Sequence, residues 1–228
     1  VWIGQRRVDC ARHPRTDLVH PVRIRPGAFA EGRPKRDVHL SPDHALFWGG
    51  ALIPVHHLIN GATIVREKVA SVHYFHIELD RHDVLLAECL PVESYLDTGN
   101  RAQFENGAAH ISLHPDFSSR SWDDACAPLC TEGPLVSAAR RELLQRAAAL
   151  GYQPRTEPGL HVAAGARALR PASVKGRLYQ FLLPTGTREA RIVSRTGVPA
   201  GLDLEAADCR TLGARIGAVF VGGKAVGL

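Results

Sequence analysis

The 228-residue chain is 45% apolar and 22% charged, enough to bury a core and too apolar to read as disordered. No apolar run approaches the roughly 18–20 residues that would cross a bilayer as a helix. The net charge of +5 comes wholly from residues 115–228, with 15 Lys+Arg against 10 Asp+Glu, while residues 1–114 balance at 13 and 13. Those basic residues stand singly or in pairs such as Arg140-Arg141, without the clustered stripe and interleaved aromatics of a nucleic-acid site.

Residues 1–107 read as β-rich. Pro21-Val-Arg-Ile-Arg25, Asp37-Val-His-Leu40, Ala51-Leu-Ile-Pro-Val55, Ala62-Thr-Ile-Val65 and Val72-His-Tyr-Phe-His-Ile-Glu-Leu79 are short runs bounded by Gly, Pro, Asn and Asp. That spacing predicts a curled sheet or sandwich and not a parallel βαβ array. No Gly-rich turn leads from a strand into a helix, so phosphate cradling is not indicated.

Residues 108–151 read as a linker followed by one helix over about 134–150. Pro134 suits a first helical position and Gly151 the residue just past the end. Val136, Ala139, Leu143, Ala147 and Leu150 recur at steps of three and four and predict one stripe packed on a neighbouring sheet, with Arg140, Arg141 and Arg146 outward. Residues 152–228 read as a β-rich extension of sandwich-like type. It opens with a connector that carries one hairpin, and continues with strands near 177–183, 188–194, 216–221 and 225–228. Gly222-Gly223 predicts a tight turn between the last two.

The five cysteines, Cys10, Cys89, Cys126, Cys130 and Cys209, lack the spacing of a disulfide framework or a zinc site and are expected to be reduced. Met is absent even at position 1, so a chain trimmed at its N-terminus, or a fragment, is expected. The opening residues do not have the makeup of a signal peptide, and the sequence leaves the compartment and the oligomeric state open.

Nine of the twelve histidines lie between His13 and His82, which makes metal binding the first chemistry to weigh. His56-His57, read as extended, and His73 with His76, read on one strand, each place their imidazoles on opposite faces. Neither pair can chelate one ion. No metal and no cofactor is expected; a site assembled from distant histidines is the lesser alternative.

Two settings are more specific. In Leu40-Ser-Pro-Asp-His-Ala-Leu-Phe47 a strand enters a Ser-Pro-Asp turn and leaves through His44, so the Ser41 hydroxyl and the His44 imidazole can face one point. An imidazole that titrates near neutrality suits proton transfer. The plainer alternative has Ser41 and Asp43 capping a turn. In Ile77-Glu-Leu-Asp-Arg-His-Asp-Val-Leu-Leu-Ala-Glu88 a strand ends in a charged turn that presents His82-Asp83, and the following Glu93-Ser-Tyr-Leu-Asp97 is dense in hydrogen-bonding groups.

Together, Ser41-Pro-Asp-His-Ala-Leu-Phe47, Leu52-Ile-Pro54, Leu58-Ile-Asn-Gly61, His76-Ile-Glu-Leu79, Arg81-His-Asp-Val-Leu-Leu-Ala-Glu88 and Glu93-Ser-Tyr-Leu-Asp-Thr-Gly-Asn100 resemble the bacterial Hint (Hedgehog/intein) module, with Trp2-Ile-Gly4 and Arg6-Arg-Val8 fitting its interior. The resemblance covers residues 1–107. It implies an all-β horseshoe that performs an acyl shift on its own backbone: a Cys or Ser attacks the preceding carbonyl and turns an amide into a thioester or ester. The histidine of the family's Thr-x-x-His box, here Ser41-Pro-Asp-His44, assists the departing nitrogen. His82-Asp83 corresponds to a second histidine-bearing strand. Glu93-Ser-Tyr95 stands where an intein would end in Asn, which argues against splicing by Asn cyclisation.

The expected catalytic set is thus His44, Ser41, Asp43 and His82, with the chain's own polypeptide as substrate and neither nucleic acid nor a membrane span as partner. The family's opening nucleophile is not found here, since Val8-Asp-Cys-Ala-Arg12 does not resemble its box, so no self-cleavage is expected of this chain by itself. A degenerate Hint scaffold serving as a non-enzymatic interaction domain is the alternative. A hydrolase using Ser41, His44 and Asp43 is a weaker one, because triad members come from separate parts of a fold.

Overall fold

An antiparallel ribbon of two eight-residue strands, β1 (Trp2–Asp9) and β7 (Ser71–Glu78), runs in register from Trp2 opposite Glu78 to Asp9 opposite Ser71. The computed structural model describes residues 1–107, 120–153, 157–199, 208 and 210–227. Along β7 the strand period of two turns Tyr74 and Glu78 into the protein and leaves Phe75 and Ile77 exposed. Gly4 faces His76 across the ribbon, and a Cβ there would come within 2.5 Å of the Trp2 ring and 2.8 Å of Phe104. Only glycine lets those rings lie over the backbone.

Two further sheets complete the N-terminal half. The first orders β3 (Val38–Leu40), β2 (Val22–Ile24) and β6 (Ile64–Arg66). The second orders β5 (Ala51–Pro54), β4 (Ala45–Trp48), β9 (Leu90–Glu93) and β8 (Val84–Ala87). All pairings are antiparallel, and helical structure among the described residues before 107 is limited to short 3-10 turns such as Val55–Leu58. The strand series read from the sequence is present in this order. The β8–β9 turn is tight, with Glu88 and Cys89 at φ of 51° and 68°. Side chains pay about 1–2 kcal/mol per residue in that region, offset in part by the bond from Lys35 N–H to the Glu88 carbonyl at 3.1 Å.

Helix α1 (Pro134–Ala149) starts at Pro134, as the sequence predicts. Its buried residues Val136, Ala139 and Leu143 join Val22, Ile24, Leu40, Leu46, Ile53, Ile64 and Val92 in one core cluster, so the stripe closes a space between the β sheets. Leu150, expected to continue the stripe, is exposed. Arg146, expected on the outer face, instead turns back and donates from Nε to the Gly27 carbonyl at 2.8 Å. Its long side chain lets the guanidinium satisfy a carbonyl while its stem covers apolar surface.

Beyond the helix, β10 (His161–Ala164), β11 (Arg167–Leu169) and β14 (Arg191–Val193) form a three-stranded sheet. β12 (Ser173–Lys175) pairs with β13 (Leu178–Gln180), and β15 (Val219–Val221) with β16 (Lys224–Val226) through Gly222-Gly223, both at positive φ. The segment expected to be a connector with one hairpin holds that hairpin, β10–β11, and in addition β12, which pairs onward with β13. The four described cysteines, Cys10, Cys89, Cys126 and Cys130, are free thiols; Cys209 lies outside the described residues.

Candidate active site

Strand β3 ends at Leu40 and β4 begins at Ala45; residues 41–44 make the turn between them, closed by the His44 N–H donating to the Ser41 carbonyl at 3.0 Å. Pro42 fixes the backbone angle such a turn needs. The turn delivers the half-buried His44 ring to the end of β9, where Nε2 lies 3.1 Å from the Glu93 carbonyl. A carbonyl can only accept, so Nε2 carries the proton and Nδ1 is left as a proton acceptor. Burial pushes the His44 pKa down, and nearby His82 adds to this; the charge and the carbonyl of Glu93 oppose it. The ring is therefore neutral at pH 7.

Glu93 does more than accept from His44. Its Oε1 accepts the Ala45 N–H at 2.7 Å, and its Oε2, buried and without a hydrogen-bond partner, lies 3.5 Å from His82 Nε2. The His82 side chain is fully buried. Its Nδ1 accepts the Cys126 N–H at 3.1 Å and its Nε2 stands 3.0 Å from the Ser94 carbonyl, so the ring is the neutral tautomer protonated on Nε2. The chain reversal that returns β8 to β9 continues past the strands: Asp83 N–H donates to Ser94 Oγ at 2.9 Å and Ser94 N–H to the Asp83 carbonyl at 2.7 Å. Two imidazoles 38 positions apart thereby meet one residue, His44 at the Glu93 carbonyl and His82 beside its carboxylate.

The other two expected residues stand elsewhere. The Asp43 carboxylate is 86% exposed and lies 3.4 Å from His56 Nδ1, away from the His44 ring nitrogen that Glu93 holds. Ser41 contributes its carbonyl to the turn. A Ser41–His44–Asp43 relay does not exist in this arrangement. His56 braces the box: its backbone N–H donates to the Pro42 carbonyl at 3.1 Å and its Nδ1 lies 2.9 Å from the same oxygen. The extended reading of His56-His57 is also corrected. Val55–Leu58 is a 3-10 turn, and its tighter winding sets the two rings side by side with centroids 4.0 Å apart.

Sequence reasoning did not single out Glu93 for a role beyond its place in the motif. A strand period of two, with Leu90 and Val92 inward, would turn Glu93 to solvent; it is buried because β9 ends where β4 and the His82 turn converge. Among the described residues no three His, Cys, Asp or Glu side chains are grouped to hold a metal ion.

His76 sits 5.9 Å, ring centroid to ring centroid, from His44. Burial, aided by His44 and Arg6, pushes its pKa from 6.5 down to about 4. Between those values the unfolded chain binds the proton and the folded one does not, so this group's stabilisation is full above about pH 6.5 and is lost as pH falls toward about 4. With 1.36 kcal/mol per pH unit, discounted for partial exposure, the loss is on the order of 2 kcal/mol. Urea midpoints at pH 7 and pH 5 are expected to fall further apart in the native protein than in His76→Phe; equal differences would refute the assignment.

Residues 1–99 match a family model described as "Hint domain". No curated protein and no solved structure matches the chain.

Proposed function

We propose that the Hint-type domain matched by residues 1–99 supports an N-to-S or N-to-O acyl shift and cleavage of its own polypeptide once a nucleophile stands at the scissile junction, with His44 as the proton-transfer residue. This chain by itself is not expected to cleave. A thiol or hydroxyl at the scissile junction attacks the preceding carbonyl. The new C–S or C–O bond replaces the C–N bond; the nucleophile's proton passes to Nδ1 of neutral His44 and on to the departing amide nitrogen. Water or a second nucleophile then releases the acyl group. General acid–base help of this kind contributes typically 10²–10⁴-fold.

The observation that carries this reading is the double engagement of Glu93. Its carbonyl fixes which His44 nitrogen is free, and its charge, which opposes the fall in the His44 pKa, steadies the imidazolium formed in transit. His82, 3.5 Å from the same carboxylate, completes the polar end of the site. Ser41 holds the turn in place of the family's Thr, and Asp43 steadies it through His56.

The test is a denaturing-gel time course of the protein as its gene encodes it. Cleavage accelerated by hydroxylamine or an added thiol is expected, because both intercept a thioester or ester. His44→Ala is expected to slow it at least about tenfold, or 1.4 kcal/mol in the barrier. His56→Ala is expected to slow it less, since it loosens the turn without removing the imidazole. Equal rates for the native and His44→Ala proteins would refute the role of His44.

A further inference from the structure

Residues 120–130 run as a strap past the His44–Glu93–His82 site. At one end Arg120 is anchored twice, its N–H to the Asp97 carbonyl at 2.7 Å and its Nη2 to the Asp80 carbonyl at 2.6 Å. At the other, Leu129 bridges Leu52 of β5 in parallel: Leu52 N–H donates to the Pro128 carbonyl at 2.9 Å and Cys130 N–H to the Leu52 carbonyl at 2.8 Å. Between the anchors the strap touches the site through one bond, from Cys126 N–H to His82 Nδ1 at 3.1 Å.

That bond exists only while Nδ1 has a free lone pair. Nε2 already carries the ring's proton, so a second proton can enter only at Nδ1, where it would confront the Cys126 N–H. The charged ring would nevertheless have a partner waiting. Glu93 Oε2 is buried, has no hydrogen-bond partner and lies 3.5 Å from Nε2. A proton on His82 therefore sets a cation 3.5 Å from a buried carboxylate oxygen and evicts the strap in the same event.

We infer that the strap is a proton-operated latch: neutral His82 holds residues 120–130 at the site, and protonated His82 lets them go. The latch deepens the proposed function only in what its release uncovers. The groups facing His82 divide by element. Glu93 and the Ser94 carbonyl come from the end of β9, His44 from the turn before β4, the exposed Asp83 from the next position of its own turn, and the Cys126 N–H from the strap, whose Arg120 side chain reaches the Asp80 carbonyl. Glu93, 3.5 Å away, favours the imidazolium. His44, neutral through burial, does not oppose it, and the Arg120 guanidinium is directed to the Asp80 carbonyl. Strap and proton compete for one lone pair, so docking is favoured at high pH and lost as pH falls.

The experiment uses the ¹⁵N-labelled chain itself, titrated between about pH 8 and pH 5, where imidazoles change charge. The His82 ring resonances report protonation. The protection factors of the Leu52 and Cys130 amides, taken against intrinsic exchange at each pH, report the strap. Protection is expected to fall at least about tenfold with the midpoint of His82 protonation, while the β1–β7 amides keep theirs. In His82→Asn, whose amide oxygen can accept from Cys126 and which cannot take up a proton, protection is expected to stay flat. The latch is refuted if His82 does not titrate in this range, if it titrates while the strap amides hold, or if His82→Asn loses protection equally. Should His82→Asn fail to fold, the coincidence of midpoints in the native chain decides. Cleavage is not the readout, so failure here leaves the role of His44 standing, and the reverse.

Discussion

Arg101→Met is expected to destabilise the protein by about 3–5 kcal/mol, because it strands two buried carboxylates. The Arg101 side chain is 2% exposed; its Nη2 pairs with Glu78 and its Nε with Asp97 at 2.7 Å. The guanidinium also lies over the Trp2 ring, 4.1 Å from its centroid. Around it the Tyr95 hydroxyl meets Asp97 Oδ1 at 3.3 Å and Asn100 Oδ1, its one proton shared between them, and burial with the Asp97 charge raises its pKa, keeping it a donor. Replacing the arginine alone leaves Glu78 and Asp97 charged without their partner. Adding Glu78→Gln to Arg101→Met is expected to recover part of the loss, since neutralising one stranded carboxylate removes one penalty. Urea midpoints at unchanged m-value measure both. A single substitution costing under about 1 kcal/mol, the scale of a surface pair, would show that the cluster does not hold the ribbon to residues 95–104.

Leu143→Ala is expected to cost about 2–5 kcal/mol through lost burial and the cavity left behind. Leu143 is 1% exposed and packs with strand residues of the N-terminal half. The exposed neighbour Glu142 serves as control, and Glu142→Ala is expected to stay within about 0.5 kcal/mol. Because the helix stripe and the strands share one core, unfolding should follow a single transition by tryptophan fluorescence and by far-ultraviolet dichroism. A Leu143→Ala loss below about 1 kcal/mol, or a helix that melts ahead of the sheets, would contradict this packing.

What the sequence disclosed and what it hid follow from the range of the forces involved. Strands such as Val38–Leu40 and the helix Pro134–Ala149 are legible because alternation, the 3.6-residue stripe, and Pro and Gly punctuation are local. The residues 41–44 turn and the His82 turn are legible for the same reason, and their resemblance to one family supplied the suggestion that they belong together. Glu93 was not legible in its role: burying a carboxylate against strand alternation requires knowing that β9 ends beside β4. The same holds for Arg101, whose polar surroundings in sequence suggest a solvated loop and whose partners are Glu78 and Trp2. The 3-10 turn at Val55–Leu58 was misread because short apolar runs with histidines carry no period that separates a strand from one tight turn.

The place of α1 in the core has a consequence for synthesis. Arg146 bonds to Gly27 across 119 positions, and the helix face closes over Val22, Ile24 and Leu46. As the chain leaves the ribosome, these walls emerge long before the piece that covers them. At about 5–20 residues per second the wait between residue 107 and the end of the helix is a few seconds. For that interval the nascent β half presents an unroofed apolar surface, the kind that chaperones hold and that associates with neighbouring chains at high expression. Slower translation across the linker would lengthen that exposure, and a stop codon placed before Pro134 would make it permanent.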